Sequence, residues 1–159
     1  MKKYEFTGET KEIRLLFRTA TLHRIRATVA FGIVEVGDLG GWIEKEENLS
    51  HEGKAWVWGN AEVCGDAEVW GNAEVFSASH VLVIGAIGSR NDFTTFYRDK
   101  DNEITVKCGC FLGKIDRFLE KVTQTHGDSK YALVYRAAVE VAKLQIDLSG
   151  EAPKDADEE

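Results

Sequence analysis

Between residues 57 and 86 the chain repeats a six-residue unit, and no other stretch restricts its fold so tightly. The unit reads Val-x-Gly-Asn/Asp-Ala-x: Val57-Trp58-Gly59-Asn60-Ala61-Glu62, Val63-Cys64-Gly65-Asp66-Ala67-Glu68, then Val69-Trp70-Gly71-Asn72-Ala73-Glu74. It loosens through Val75-Phe76-Ser77-Ala78-Ser79-His80 and Val81-Leu82-Val83-Ile84-Gly85-Ala86. A period of six with one aliphatic and one small inward residue per unit is the pattern of a parallel β-helix. Three units would form one triangular coil, so residues three units apart are expected to stack at the strand spacing of about 4.8 Å. Gly and Asn/Asp fall at the corners, which need positive φ or a side chain that bonds its own backbone.

Counting His51-Glu52-Gly53-Lys54-Ala55-Trp56 as a degenerate first unit, residues 51–86 supply about two coils. The spacing of four from Val to Ala inside each unit points to the left-handed form. The expected fold is therefore mainly β with α: a short left-handed parallel β-helix over 51–86, an N-terminal β cap over 1–50, and a C-terminal ββαα lobe over 87–148. Residues 13–18, 22–27 and 31–36 read as strands of the cap, and Gly37-Asp38-Leu39-Gly40-Gly41-Trp42-Ile43 as a glycine-rich turn. In the last lobe, strands over 93–98 and 104–108 flank a polar hairpin turn at 99–103. Ile115, Phe118, Leu119 and Val122 have the spacing of an amphipathic helix over 114–125, with Gly127 as its C-cap and a second helix over 129–147. Residues 149–159 are acidic, lack aromatics and read as disordered.

Net charge narrows the function. At −7, with a pI near 5.2, the chain is not expected to bind nucleic acid directly. No apolar run approaches the ~20 residues of a membrane span, and Met1-Lys2-Lys3-Tyr4-Glu5-Phe6 opens no secretory signal. Three cysteines, Cys64, Cys108 and Cys110, make no even disulfide set and read as reduced thiols in a cytoplasm.

Several side chains invite a functional reading. Trp56, Trp58, Trp70 and Phe76 would leave the flat faces of the coils, forming either internal packing under the flanking segments or an interface for self-association, such as a trimer. His23, His51, His80 and His126 are the acid–base candidates. Hexapeptide-repeat acyltransferases use a histidine as general base, which singles out His51 and His80, although an ordinary surface pair of His80 with Glu62 explains that residue. No histidine has a second ligand at metal spacing, and Cys108-Gly109-Cys110 reads as a strand end and turn, so neither a metal nor another cofactor is expected. The junction Gly85–Arg98 gathers glycine amides, hydroxyls and two arginines; Arg90, Asn91, Thr94 and Arg98 are the candidates for holding a phosphate. His126, Lys130 and Tyr131 are candidates for the same cleft.

Leu22-His23-Arg24-Ile25-Arg26-Ala27, Gly37 to Ile43, the Asn48-Leu49-Ser50 lead-in to the repeats, Ile87-Gly88-Ser89-Arg90-Asn91, Cys108-Gly109-Cys110-Phe111 and His126-Gly127 together resemble small hexapeptide-repeat β-helix proteins of Firmicutes phages and prophages. The resemblance spans nearly residues 4–148. More distantly, the Gly-Gly-Trp lead-in is similar to longer bacterial left-handed β-helix proteins described as transferases. The phage resemblance implies work in the cytoplasm of an infected or lysogenic bacterium. There the chain is expected to be a non-catalytic binding protein that sequesters or inhibits a host target, either a nucleotide signal or a defence protein. The alternatives are an acyl or nucleotidyl transferase and a purely structural, oligomerising scaffold. Binding is preferred because no nucleophile–base pair or paired catalytic carboxylates can be assembled from the sequence.

Overall fold

The computed structural model describes residues 2–149, so the tail expected at 149–159 falls, apart from Ser149, outside the described residues. The chain opens with a long antiparallel hairpin, β1 (Tyr4–Arg14) and β2 (Thr19–Ala27), and β3 (Leu39–Ile43) adds to β2. Three two-residue strands follow in the repeats: β4 (Trp56–Val57), β5 (Glu62–Val63) and β6 (Glu74–Val75). Then come β7 (Val81–Ile87), β8 (Asp92–Arg98), β9 (Ile104–Cys108) and β10 (Phe111–Lys114), followed by α1 (Ile115–His126) and α2 (Lys130–Gln145).

The expected left-handed parallel β-helix is not what forms. The chain is a mixed α/β structure built on two four-stranded sheets, β1-β2-β3-β5 and β10-β9-β8-β7, whose pairings are antiparallel except at β3–β5. Among the described residues, parallel pairing is confined to the two-residue ladders β3–β5 and β4–β6 and a single bridge from Leu49 to Val69. The physical reason is length. The repeat holds its pattern for three units and then meets Ser77, whose hydroxyl accepts a bond from the Ser79 N–H and starts a 3-10 turn at Ala78–His80. That turn sends Val81–Ile87, which takes in the last repeat expected at Val81–Ala86, into an antiparallel ladder with β8.

The repeat nonetheless dictates which side chains are inside. Val57, Val63, Val69 and Val75, with Ala55, Ala61, Ala67 and Ala73, are all buried. Gly53, Gly59, Gly65 and Gly71 all have φ between +54° and +70°, the left-handed turns that the pattern requires. The buried valines pack not on further coils but on Tyr4, Ile25, Ile43 and Tyr97, contributed by the two sheets, and on Trp56 of the repeat itself. Fully burying one such side chain is worth roughly 1.5–3 kcal/mol.

Two further corrections concern the N-terminal region. Residues 31–36 form a turn closed by the Phe31–Val34 bridge, and the glycine-rich segment expected as a turn holds β3. The glycines serve close approach: a Cβ on Gly40 would lie 2.7 Å from Ile25 and Trp56, and one on Gly41 would lie 2.6 Å from the Ala61 carbonyl.

A second core joins Phe96, Ile104 and Val106 of the C-terminal sheet to Phe118, Val122, Tyr135, Val139 and Ala142 of the helices. Strand β8 separates the two cores. Tyr97 faces the first and Phe96 the second, because adjacent residues of a strand point to opposite faces. The Thr95 hydroxyl fastens the regions by accepting the Glu68 N–H at 2.9 Å, and the Asn72 carbonyl accepts the Lys100 N–H at 2.9 Å. The helices match the expected spans closely, and the final lobe gains β7 and β10 to become ββββαα.

Candidate functional site

The four residues expected to hold a phosphate do not converge. Arg90 and Asn91 are exposed in the β7–β8 turn, where Asn91 takes a φ of +48°. Thr94 is buried and donates its hydroxyl to Cys108 Sγ at 3.4 Å. Arg98 ends the seven-residue β8, so roughly 20 Å of strand separates it from the turn that holds Arg90. It is buried, donates from Nε to Asn102 Oδ1 at 2.7 Å, and lies 5.3 Å from the Phe76 ring centre. Only Arg90 of the four stands at an open cavity.

The aromatic residues are largely absorbed by the fold. Trp56 is buried and meets Phe31 edge-on at 5.3 Å. Trp58 and Phe76 lie 5.5 Å apart, half-buried, and Lys107 Nζ sits 4.7 Å above the half-buried Trp70 ring. Arg98 and Lys107 thus each lie over one ring of this group, Phe76 and Trp70 respectively.

Three of the four histidines are also engaged internally. His51 accepts the Lys3 N–H at 3.0 Å and stacks on Tyr4 at 4.1 Å, and burial pushes its pKa down. His80 is buried and accepts the Phe76 N–H at 3.0 Å, in place of the expected surface pair with Glu62; burial, then Arg98, lowers its pKa. His23 stacks on Phe6 at 4.4 Å. All three cysteines are free thiols, and among the described residues no group of His, Cys, Asp or Glu could hold a metal ion.

His126 is different. It lines a cavity of about 250 Å³ formed where the β7–β8 turn, the β9–β10 turn and the two helices meet. Phe111, Phe118, Val122 and Tyr135 supply its apolar wall, while Ser89, Arg90, Lys121 and His126 bring polar and cationic groups to it. Asp92, Cys108 and Cys110 complete the polar lining. An adjoining depression of about 540 Å³ shares Cys110, Phe111 and Lys121 and adds Arg117, Glu120 and Gln124. The two form one groove along α1.

The local sequence explains this layout. Phe118 and Val122 lie one turn apart on the inner face of α1, while Arg117 and Lys121 lie one turn apart on the adjoining polar face. Gly88, at φ +77°, lets the Tyr135 phenol reach the β7–β8 turn: a Cβ there would fall 1.9 Å from the hydroxyl. Burial, then the neighbouring Cys108 thiol, raises the Tyr135 pKa and keeps the phenol protonated as a hydrogen-bond donor. His126 stacks on the same ring at 5.7 Å. Lys130 sits over Tyr131 rather than in the cavity.

The groove brings together three exposed cations, Arg90, Arg117 and Lys121, and two exposed carboxylates, Asp92 and Glu120, on a chain of net charge −7. Among the described residues none of the three makes a salt bridge. Aromatic wall and unpaired cations together can hold a flat, anionic molecule. The sequence reading missed Arg117, Lys121, Phe111 and Tyr135. The spacing of four from Arg117 to Lys121 was the available signal, but nothing local tied that helix face to the β9–β10 turn.

Comparison of the sequence with protein-family models and with curated proteins finds no match for this chain. No helix among the described residues is long and apolar enough to cross a membrane.

Proposed function

We propose that the chain is a non-catalytic binding protein that sequesters a small phosphate-bearing ligand, of the nucleotide class, in the groove along α1. The observation that carries this reading is the conjunction of Arg90, Arg117 and Lys121, exposed and without a salt bridge among the described residues, with the aromatic side chains Phe111 and Tyr135 across two adjoining cavities that share Phe111 and Lys121. A base can stack on the ring surfaces while the phosphate meets the guanidinium and ammonium groups, each charge-assisted bond contributing about 1.5–3 kcal/mol. The combined groove suits a mononucleotide better than a long chain, since ligand cavities commonly measure about 300–1,000 Å³. The biological setting stays with the resemblance to phage and prophage proteins: withdrawal of a host nucleotide signal in the bacterial cytoplasm.

Thermal unfolding with linear nucleotides, cyclic nucleotides and inorganic phosphate tests this reading. A ligand at 100 times its Kd adds about 2.7 kcal/mol of stability, read as a raised Tm. Arg90→Ala and Lys121→Ala are each expected to weaken binding by at least about tenfold, the equivalent of one lost charge-assisted bond. A Tm indifferent to every compound would overturn the ligand class, and conversion of the bound compound into product would overturn the non-catalytic assignment.

A further inference from the structure

The groove along α1 carries its aromatic side chains at one end. Phe118 and Tyr135 line the cavity of about 250 Å³ and not the adjoining depression, Phe111 is shared, and Arg117 belongs to the depression alone. A base that stacks on these rings therefore occupies the smaller cavity, and its phosphate extends along α1 toward Lys121 and Arg117. One charged group at the aromatic end is unsuited to a phosphate. Asp92 lines the smaller cavity, and its place in β8 explains why. Alternate residues of a strand share a face, so Asp92 lies on the same side as Phe96, which looks onto the second core. Ile87, directly opposite Asp92 in the β7–β8 ladder, packs on that core too.

The Phe93 N–H donates to Asp92 Oδ1 at 2.7 Å, which orients the carboxylate. Oδ2 has no hydrogen bond, and Asp92 no salt bridge, among the described residues. An ionised carboxylate can only accept hydrogen bonds. Of the common bases, guanine alone sets two N–H donors side by side, at N1 and at its 2-amine. Adenine puts its N1 lone pair beside its amine, cytosine puts its N3 lone pair there, and uracil holds a single N–H between two carbonyls. The other edge of guanine presents the O6 and N7 acceptors, which match a guanidinium, and Arg90 lines the same cavity.

We infer that Asp92 makes the groove selective for guanine nucleotides, its carboxylate accepting from the N1–H and the 2-amine while Arg90 donates to O6 and N7. The inference rests on the nucleotide reading of the groove and adds the identity of the base. Discrimination follows from the unpaired groups: adenine in this cavity would turn a lone pair toward the carboxylate and leave both Asp92 and Arg90 unsatisfied.

Calorimetric titration of the full chain and of Asp92→Asn with GMP, IMP and AMP tests the inference. GMP should bind at least about tenfold more tightly than AMP, with IMP, which keeps the N1–H but lacks the amine, between them. Asp92→Asn retains an oxygen for the Phe93 N–H, so its Tm without nucleotide should match the parent. Its affinity for GMP should fall at least about tenfold, while its affinity for AMP should not fall. Equal affinities for GMP and AMP, both reduced in Lys121→Ala, would overturn the base selectivity and leave the nucleotide reading standing. A guanine preference that survives Asp92→Asn would overturn the assignment to Asp92. Failure of all three nucleotides to bind would overturn the nucleotide reading itself, and the inference with it.

Discussion

The N-terminal and repeat region and the C-terminal lobe treat their polar side chains in opposite ways. In the first, several conspicuous polar groups are engaged in holding the chain together. Asn48 is wholly buried and makes four hydrogen bonds: it accepts the N–H groups of Glu44 and Lys45 and donates to the carbonyls of Gly65 and Ala67. Lys3 is buried with its ammonium 2.7 Å from the Ala55 carbonyl, and burial pulls its pKa down to about 8. The C-terminal lobe leaves Arg90, Arg117 and Lys121 without a salt bridge, and Leu133, Val141 and Leu144 of α2 exposed, among the described residues. The contrast teaches that the repeat makes a platform and the lobe carries the surfaces able to recognise something else.

The largest expected effect that could break this comparison is at Val69. Its side chain is wholly buried, and Val69→Asp would bring an unpaired carboxylate into the first core at a cost of several kcal/mol. The variant should show no cooperative thermal transition. Cooperative melting near the parent temperature would mean that the repeat region is not the rigid platform described. Asn48→Ala comes next. It takes a partner from the Lys45 N–H and from the carbonyls of Gly65 and Ala67, while the Glu44 N–H keeps the Val63 carbonyl, and at about 1–3 kcal/mol for a buried group left unsatisfied a loss of about 2 kcal/mol is the expectation in denaturant titration.

Much of this division can be read from residue patterns, up to a clear boundary. The inward Val and Ala positions, the left-handed glycines and both helices follow from local spacing and local steric rules. What escaped was long-range pairing. The first strand, Tyr-Glu-Phe-Thr-Gly-Glu-Thr-Lys-Glu-Ile-Arg, carries too many exposed charges to look like a strand, and only its partner β2 makes it one. Gly40 and Gly41 look like turn residues because the sequence does not disclose that Ile25, Trp56 and Val57 press on them. The candidate site failed for the same reason. Arg98 and Arg90 seem close in sequence, yet an extended strand puts them at opposite ends, while Arg90 and Lys121 meet only through tertiary packing.

Acid stability sharpens the comparison at a smaller scale. Arg18 grips Glu44 through two bonds of 2.9 and 2.8 Å, and this pairing is the main cause that lowers the Glu44 pKa to about 2; partial burial opposes it and the Gly65 N–H adds to it. Because the folded pKa is depressed, the stabilisation is complete above the ordinary carboxylate value of about 4.5 and disappears as pH falls through about 2. Arg18 is half exposed, so solvent screening reduces the contribution to about 1 kcal/mol. Glu44→Gln should lower Tm by roughly 3 °C at pH 7 and by much less at pH 2, which melting curves at the two pH values would show.

The smallest expected effect on stability tests the other half of the contrast. Arg90→Ala, Arg117→Ala and Lys121→Ala remove exposed side chains with no salt-bridge partner among the described residues, so each should change stability by less than about 0.5 kcal/mol. Neutralising them together should follow the same rule, since mutual repulsion among the three cations offsets whatever packing their aliphatic stems supply. Ligand affinity measured by calorimetry on the same variants should nevertheless fall. The pairing of the two readouts matters more than either alone. A variant that lost affinity and stability in parallel would place that cation with Asn48 and Glu44, among groups that hold the chain together. Affinity lost at constant stability is what a side chain reserved for a ligand must show, because its favourable electrostatic contacts exist only when the anion is bound.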